Sequence, residues 1–120
     1  MSALHPAAVV SGKVLLGEGA VICPGAVIVT GATLGDGVIV NTGATVDHDC
    51  RLGDFCHIAP GAHLAGRVEV GERAWVGIGA SVKQGIRIGA DALVGAGAAV
   101  VEDVPEGATV LGVPARPRKG

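Results

Sequence analysis

The sequence predicts an all-β fold, a single-stranded parallel β-helix of about six triangular coils. Three observations carry this. Aliphatic residues recur at every sixth position, a small or slim residue follows by four places, and glycine dominates the place between. Stepping by six from Leu4 gives Val10, Leu16, Ile22, Ile28, Leu34, Val40, Val46, Leu52 and Ile58. The series continues through Leu64, Val70, Val76, Val82, Ile88, Val94 and Val100, 17 aliphatic positions without an insertion.

A period of six matches neither a helix of 3.6 residues per turn nor a long alternating strand. It matches short strands joined by tight corners. The small residue and the aliphatic one lie two apart, so both face inward. The corner needs positive φ, which glycine adopts freely. Gly19, Gly25, Gly31, Gly37, Gly43, Gly61, Gly79, Gly85 and Gly97 supply it. Asp49, Asp91 and Asp103 fall in the same slot and tolerate it, whereas Phe55, Arg67 and Arg73 are strained there.

Three hexads make one coil of about 18 residues, and coils stacked at about 4.8 Å give a prism on the order of 27 Å tall. Residues 1–105 form this stack. Residues 106–120 break the period and cap the C-terminal end. One domain accounts for all 120 residues.

Each face presents its own outward column. The third carries Leu15, Thr33, Arg51, Glu69 and Arg87 beside an acidic corner, and is solvated. The second carries Val9, Val27, Thr45, His63, Ser81 and Ala99. The first carries Val21, Ile39, His57, Trp75 and Leu93, too apolar for open water, and predicts a subunit interface in a homotrimer. Trp75 packs in that interface rather than stacking on a ligand.

Composition excludes several classes. A net charge of −2 gives no footprint for nucleic acid or an anionic membrane. No apolar run is long enough to span a bilayer, and no basic segment leads into an apolar one as in a secretory signal. The cysteines Cys23, Cys50 and Cys56 are odd in number and lack zinc spacing, which predicts a reduced, cytoplasmic setting. No metal site is expected.

NTGATVDHDC (41–50), GDFCHIAPGAHLAG (53–66) and GVPAR (112–116) together resemble the NeuD-type sugar acetyltransferases. These include the UDP-aminosugar N-acetyltransferases of bacillosamine synthesis. The resemblance runs from about Leu4 to Arg116. It implies a left-handed winding, against the general rule for parallel crossovers. It also implies an acetyl-coenzyme A-dependent transfer to an amino or hydroxyl group of a sugar or nucleotide sugar.

By the same resemblance His48 is the catalytic base and Asp49 raises its basicity, a place where bacillosamine-type members tend to have Glu. His57, Ile78 and Ala96 match coenzyme-binding positions, and Asn41 matches a position that contacts the acceptor sugar. The chemistry is sound on its own terms, since an imidazole can take a proton from an attacking amine or hydroxyl near neutrality. Thr42, Pro60, Ile78 and Ala96 share one corner column along which an extended pantetheine arm can lie. Gly66, one coil beyond His48, is a candidate oxyanion donor through its backbone N–H, or simply a turn residue.

Other readings remain open. His48 alone reads equally as a polar corner residue; His5 and His63 read as structural. Arg116, Arg118 and Lys119 suit either the coenzyme's phosphates or a solvated tail. A γ-carbonic-anhydrase-like zinc enzyme shares the fold, but His57 and His63 fall on different faces. Relatives of the NeuD type carry an N-terminal Rossmann-like domain, and HPAAVVSG (5–12) resembles the start of their second domain. Met1 therefore marks either a natural short start or a truncation. In the second case, with an acceptor site shared with the missing domain, the chain binds coenzyme A only; a non-catalytic trimeric β-helix is the further alternative.

Overall fold

The computed structural model describes residues 1–118 as a parallel β-helix built almost entirely of two-residue strands. Each of the 17 aliphatic positions read from the sequence ends such a strand. Strands 18 residues apart pair in parallel, as in Val21↔Ile39, Ile39↔His57 and His57↔Trp75 on the first face. The second and third faces repeat the pattern, with Thr45↔His63 and Arg51↔Glu69. The winding is the left-handed one.

The core is a narrow column. Ala20, Ala26, Ala32, Ala44, Ala62 and Ala80 interlock with Ile22, Ile28, Val46, Ile58, Leu64 and Val82, all buried. Small and branched residues mostly alternate along the column, and at Val38 with Val40, Val68 with Val70 and Ile86 with Ile88 both inward residues are branched. No buried polar side chain is left unsatisfied among the described residues. In the first coil Leu4 is 48% exposed, since it has a neighbouring coil on one side only.

The corners behave as their backbone requires. All nine glycines read from the sequence have positive φ, and Lys13, Asp49, Phe55, Arg67, Arg73 and Asp91 share that region at 57° to 63°. Each non-glycine residue there costs about 1–2 kcal/mol. Arg67 makes no side-chain hydrogen bond or ion pair among the described residues, so nothing in the fold offsets its cost. Arg67→Gly is therefore expected to stabilise the protein by about 1 kcal/mol, measured by denaturant unfolding.

Asp103 departs from expectation. It lacks positive φ among the described residues, because the sixth coil is two residues short. Ile88 bridges to Val104, and Leu93 pairs with Thr109, each 16 residues on rather than 18. In full coils the third-face N–H meets a carbonyl of the next coil, as Glu69 does at Ile86. Across the shortened coil the Asp103 carboxylate accepts the Arg87 N–H instead, at 2.8 Å. Beyond Pro105, Thr109–Leu111 adds one more parallel rung and Arg116–Pro117 returns antiparallel to it. The principal extents of the molecule are 41 × 20 × 20 Å, longer than the six-coil estimate.

The acidic corner after the third face has a structural role. Asp36 accepts the N–H of Glu18 at 2.9 Å, and Asp54 accepts that of Asp36 at 2.8 Å. Glycines beside it are dictated by proximity rather than by φ. A Cβ on Gly53 would sit 2.8 Å from the Glu72 backbone nitrogen of the next coil.

Candidate functional site

His48 stands on the corner after the second face, directly following the strand Thr45–Val46. Its backbone N–H donates to Asp47 Oδ1 at 2.7 Å, which tightens the chain into the corner. Asp49 then takes positive φ, 57°, and its Oδ2 accepts from His48 Nδ1 at 3.1 Å. A carboxylate only accepts, so this contact places a proton on Nδ1, and in the neutral ring Nε2 carries the lone pair. Both side chains are substantially open to solvent, at 40% and 57%.

Two glycines make room for the pair. An added Cβ on Gly66 would run into His48 Nε2 and lie 2.6 Å from Cε1, so the imidazole rests on the Gly66 backbone. Gly66 does not have positive φ. The corner's left-handed residue is Arg67, and Gly66 is small because the imidazole occupies the space. Its N–H meets no acceptor among the described residues. One coil earlier, a Cβ on Gly31 would meet the Asp49 carboxylate and lie 3.1 Å from Cγ. Gly31 was expected from sequence only as a corner glycine; stepping back 18 from Asp49 finds its place in the site.

A second group forms around Asn41, on the first face. Asn41 Oδ1 accepts from the Thr42 N–H at 2.7 Å and from its hydroxyl at 3.3 Å, and Asn41 Nδ2 lies 3.1 Å from His57 Nε2. The His57 ring meets Trp75 edge-on, with centroids 4.1 Å apart and planes at 64°. Burial pushes the His57 imidazole below its ordinary pKa, favouring the neutral ring. Thr42 was expected only as a column neighbour. Its link to Asn41 is local hydrogen bonding that column position does not reveal.

Ile78 and Ala96 lie on the corner after the first face, and both are exposed, Ile78 by 62%. Within one chain, then, the expected residues fall into two sets. His48, Asp49 and Gly66 meet on one prism edge; Asn41, His57, Ile78 and Ala96 lie on the first face and its corner, with the second face between. A groove of about 670 Å³ runs along the third face past Arg51, Glu69 and Arg87, and neither set lines it.

The remaining candidates have plain roles. His5 Nδ1 accepts the Ala7 N–H at 3.0 Å, and His63 Nδ1 pairs with Thr45 Oγ1 at 2.8 Å. Cys50 and Cys56 are buried, and burial pushes the Cys56 thiol up to about 12. Among the described residues, no three His, Cys, Asp or Glu side chains gather closely enough to hold a metal ion. Arg116 and Arg118 lie in and beside the return strand; Lys119 lies outside the described residues.

The model of the bacterial transferase hexapeptide, six repeats, matches residues 31–66. Curated proteins offer no match. Among solved structures, the acetyltransferase domain of PglB from Neisseria gonorrhoeae, in complex with acetyl coenzyme A, is 49% identical. It aligns over 98% of this chain and 57% of its own, with a TM-score of 0.97. PerB from Caulobacter crescentus, in complex with CoA and GDP-perosamine, is 52% identical over 98% of this chain and 57% of its own, TM-score 0.97. WeeI from Acinetobacter baumannii is 35% identical over 96% and 57%, TM-score 0.93. The chain thus spans a little over half the length of each.

Proposed function

We propose that this chain, a hexapeptide-repeat β-helix similar along nearly its whole length to sugar acetyltransferase domains, transfers acetyl from acetyl-coenzyme A to the amine of a nucleotide sugar. The observation that carries the reading is the His48 ring, held through Nδ1 by Asp49 and resting on Gly66 with Nε2 bare. That arrangement suits a general base beside a free backbone donor.

In this reading the sugar amine attacks the thioester carbonyl carbon, and His48 Nε2 takes the proton that the nitrogen gives up. Asp49 steadies the imidazolium so formed. The Gly66 N–H faces the negative oxygen of the tetrahedral intermediate. As the C–S bond breaks, His48 returns the proton to the departing thiolate sulfur. The buried thiols of Cys50 and Cys56 take no part.

Coenzyme A fits the first corner by chemistry. Thr42, Pro60, Ile78 and Ala96 line its edge, and Gly79 and Gly97 leave open space beside the backbone. Such an edge offers apolar contact to methylenes and backbone groups to amides.

The two sets of residues meet only if a neighbouring copy brings its second corner to this chain's first face. The exposed stripe of Val21, Trp75 and Leu93, 38%, 46% and 42% open in one chain, supports that contact. A homotrimer with three sites between chains follows. Light scattering is expected to give the mass of three 11.7 kDa chains, and Trp75→Glu to give monomers without turnover. A native monomer would end the shared-site reading. Free thiols and a coenzyme A substrate suit the cytoplasm.

The test is thiol release from acetyl-coenzyme A in the presence of GDP- or UDP-linked amino sugars, with coenzyme titration alongside. Acceptor-dependent release supports transfer. Coenzyme binding without release for any amino sugar favours the second reading, a coenzyme-binding module, which the chain's 57% span of PglB and PerB motivates.

A further inference from the structure

Asn41 is committed to two contacts whose polarity determines which nitrogen of His57 carries a proton. The Thr42 backbone N–H can only donate, so the atom it meets at 2.7 Å is the amide oxygen of Asn41. The Thr42 hydroxyl, at 3.3 Å, reaches the same oxygen. With the oxygen so placed, the Asn41 NH₂ is what faces His57 Nε2 at 3.1 Å. An amide NH₂ can only donate, so His57 Nε2 must present a lone pair.

We propose that Asn41 is a positioning residue that holds His57 as the neutral Nδ1–H tautomer, so that the only donor this ring offers a ligand is Nδ1–H, suited to a neutral carbonyl oxygen. Nδ1 has no partner among the described residues, so its proton is available. A phosphate would be better served by an imidazolium. Here that form would set the Nε2 proton against the Asn41 NH₂, on a ring half-buried against Trp75. A neutral donor matches an amide or thioester carbonyl instead. Asn41 thereby acts through His57, in addition to the acceptor contact that the resemblance implies. The inference rests on the acetyl-transfer reading only for the identity of the carbonyl, which would belong to coenzyme A; the tautomer is independent of it.

The test is a two-bond ¹H–¹⁵N correlation spectrum of the intact, ¹⁵N-labelled protein without ligand, with coenzyme A titration as a second arm. In the unmodified protein His57 Nε2 should show the shift of an unprotonated ring nitrogen, with the proton on Nδ1. Asn41→Asp keeps the shape but offers only acceptors, so the proton should move to Nε2. Coenzyme A affinity should then fall about tenfold, the loss of one hydrogen bond to a donor now misplaced. A proton on Nε2 in the unmodified protein overturns the proposal and needs no variant to fold. So does an unchanged tautomer in Asn41→Asp, or a switched tautomer with unchanged coenzyme affinity. Absence of acetyl transfer with the ring spectra as described would count against the functional reading alone.

Discussion

His48→Ala is expected to lower turnover by about 10²–10⁴-fold while leaving coenzyme A binding within a factor of about two. The loss follows from removing the one bare imidazole nitrogen that Asp49 orients. Coenzyme binding is expected to survive because the pantetheine contacts assigned to Thr42, Pro60, Ile78 and Ala96 do not include His48. The fold should be unaffected, since the side chain is 40% exposed and is not part of the buried core. Single-turnover thiol release and calorimetric titration measure the two quantities separately. Full activity in the variant would remove His48 from the mechanism, and loss of binding equal to loss of rate would recast it as a ligand contact.

Gly66→Ala should produce nearly the same defect without touching the base itself. The new methyl would enter the space of the His48 ring, with Nε2, Cε1 and Cδ2 as its nearest neighbours. All three belong to a side chain that can rotate away, and φ at Gly66 admits alanine. Stability should change by no more than about 0.5 kcal/mol. The displaced imidazole gives up its bond to Asp49 and its place beside the Gly66 N–H, and activity should fall at least 10²-fold. A thermal melt and a rate on the same sample decide the matter. An active, unchanged Gly66→Ala would mean that the ring position observed here is not the working one. Gly53 and Gly71 are a different case, because a methyl there meets the backbone of the next coil.

The stack was legible because six-residue register leaves no freedom: once Leu4 to Val100 are in phase, each corner and outward column follows. The strained corners at Asp49, Phe55, Arg67 and Arg73 could be read by counting alone. Counting failed at Asp103, where a side chain replaces a backbone acceptor and two residues drop out, a substitution that periodicity cannot express. At the candidate site, register put His48 and Gly66 on one edge. It did not reveal that the glycine is there for the imidazole rather than for the turn. Nor did it distinguish Asn41 as a ligand contact from Asn41 as the partner of His57, because that depends on amide orientation. Side-chain polarity, rather than position, held that information.

The antiparallel return of Arg116–Pro117 has a consequence for assembly along the long axis. Parallel rungs are natural templates, and an open terminal rung invites another chain to continue the spiral as a filament. Here the last rung, Thr109–Leu111, meets a strand running the wrong way, and Pro117 contributes no N–H to an incoming chain. Gly112 and Ala115 meanwhile occupy the Ala99 N–H and C=O at 3.0 and 2.8 Å, closing the neighbouring edge. The rung at Thr109–Leu111 is thus blunted against a chain that would continue the spiral.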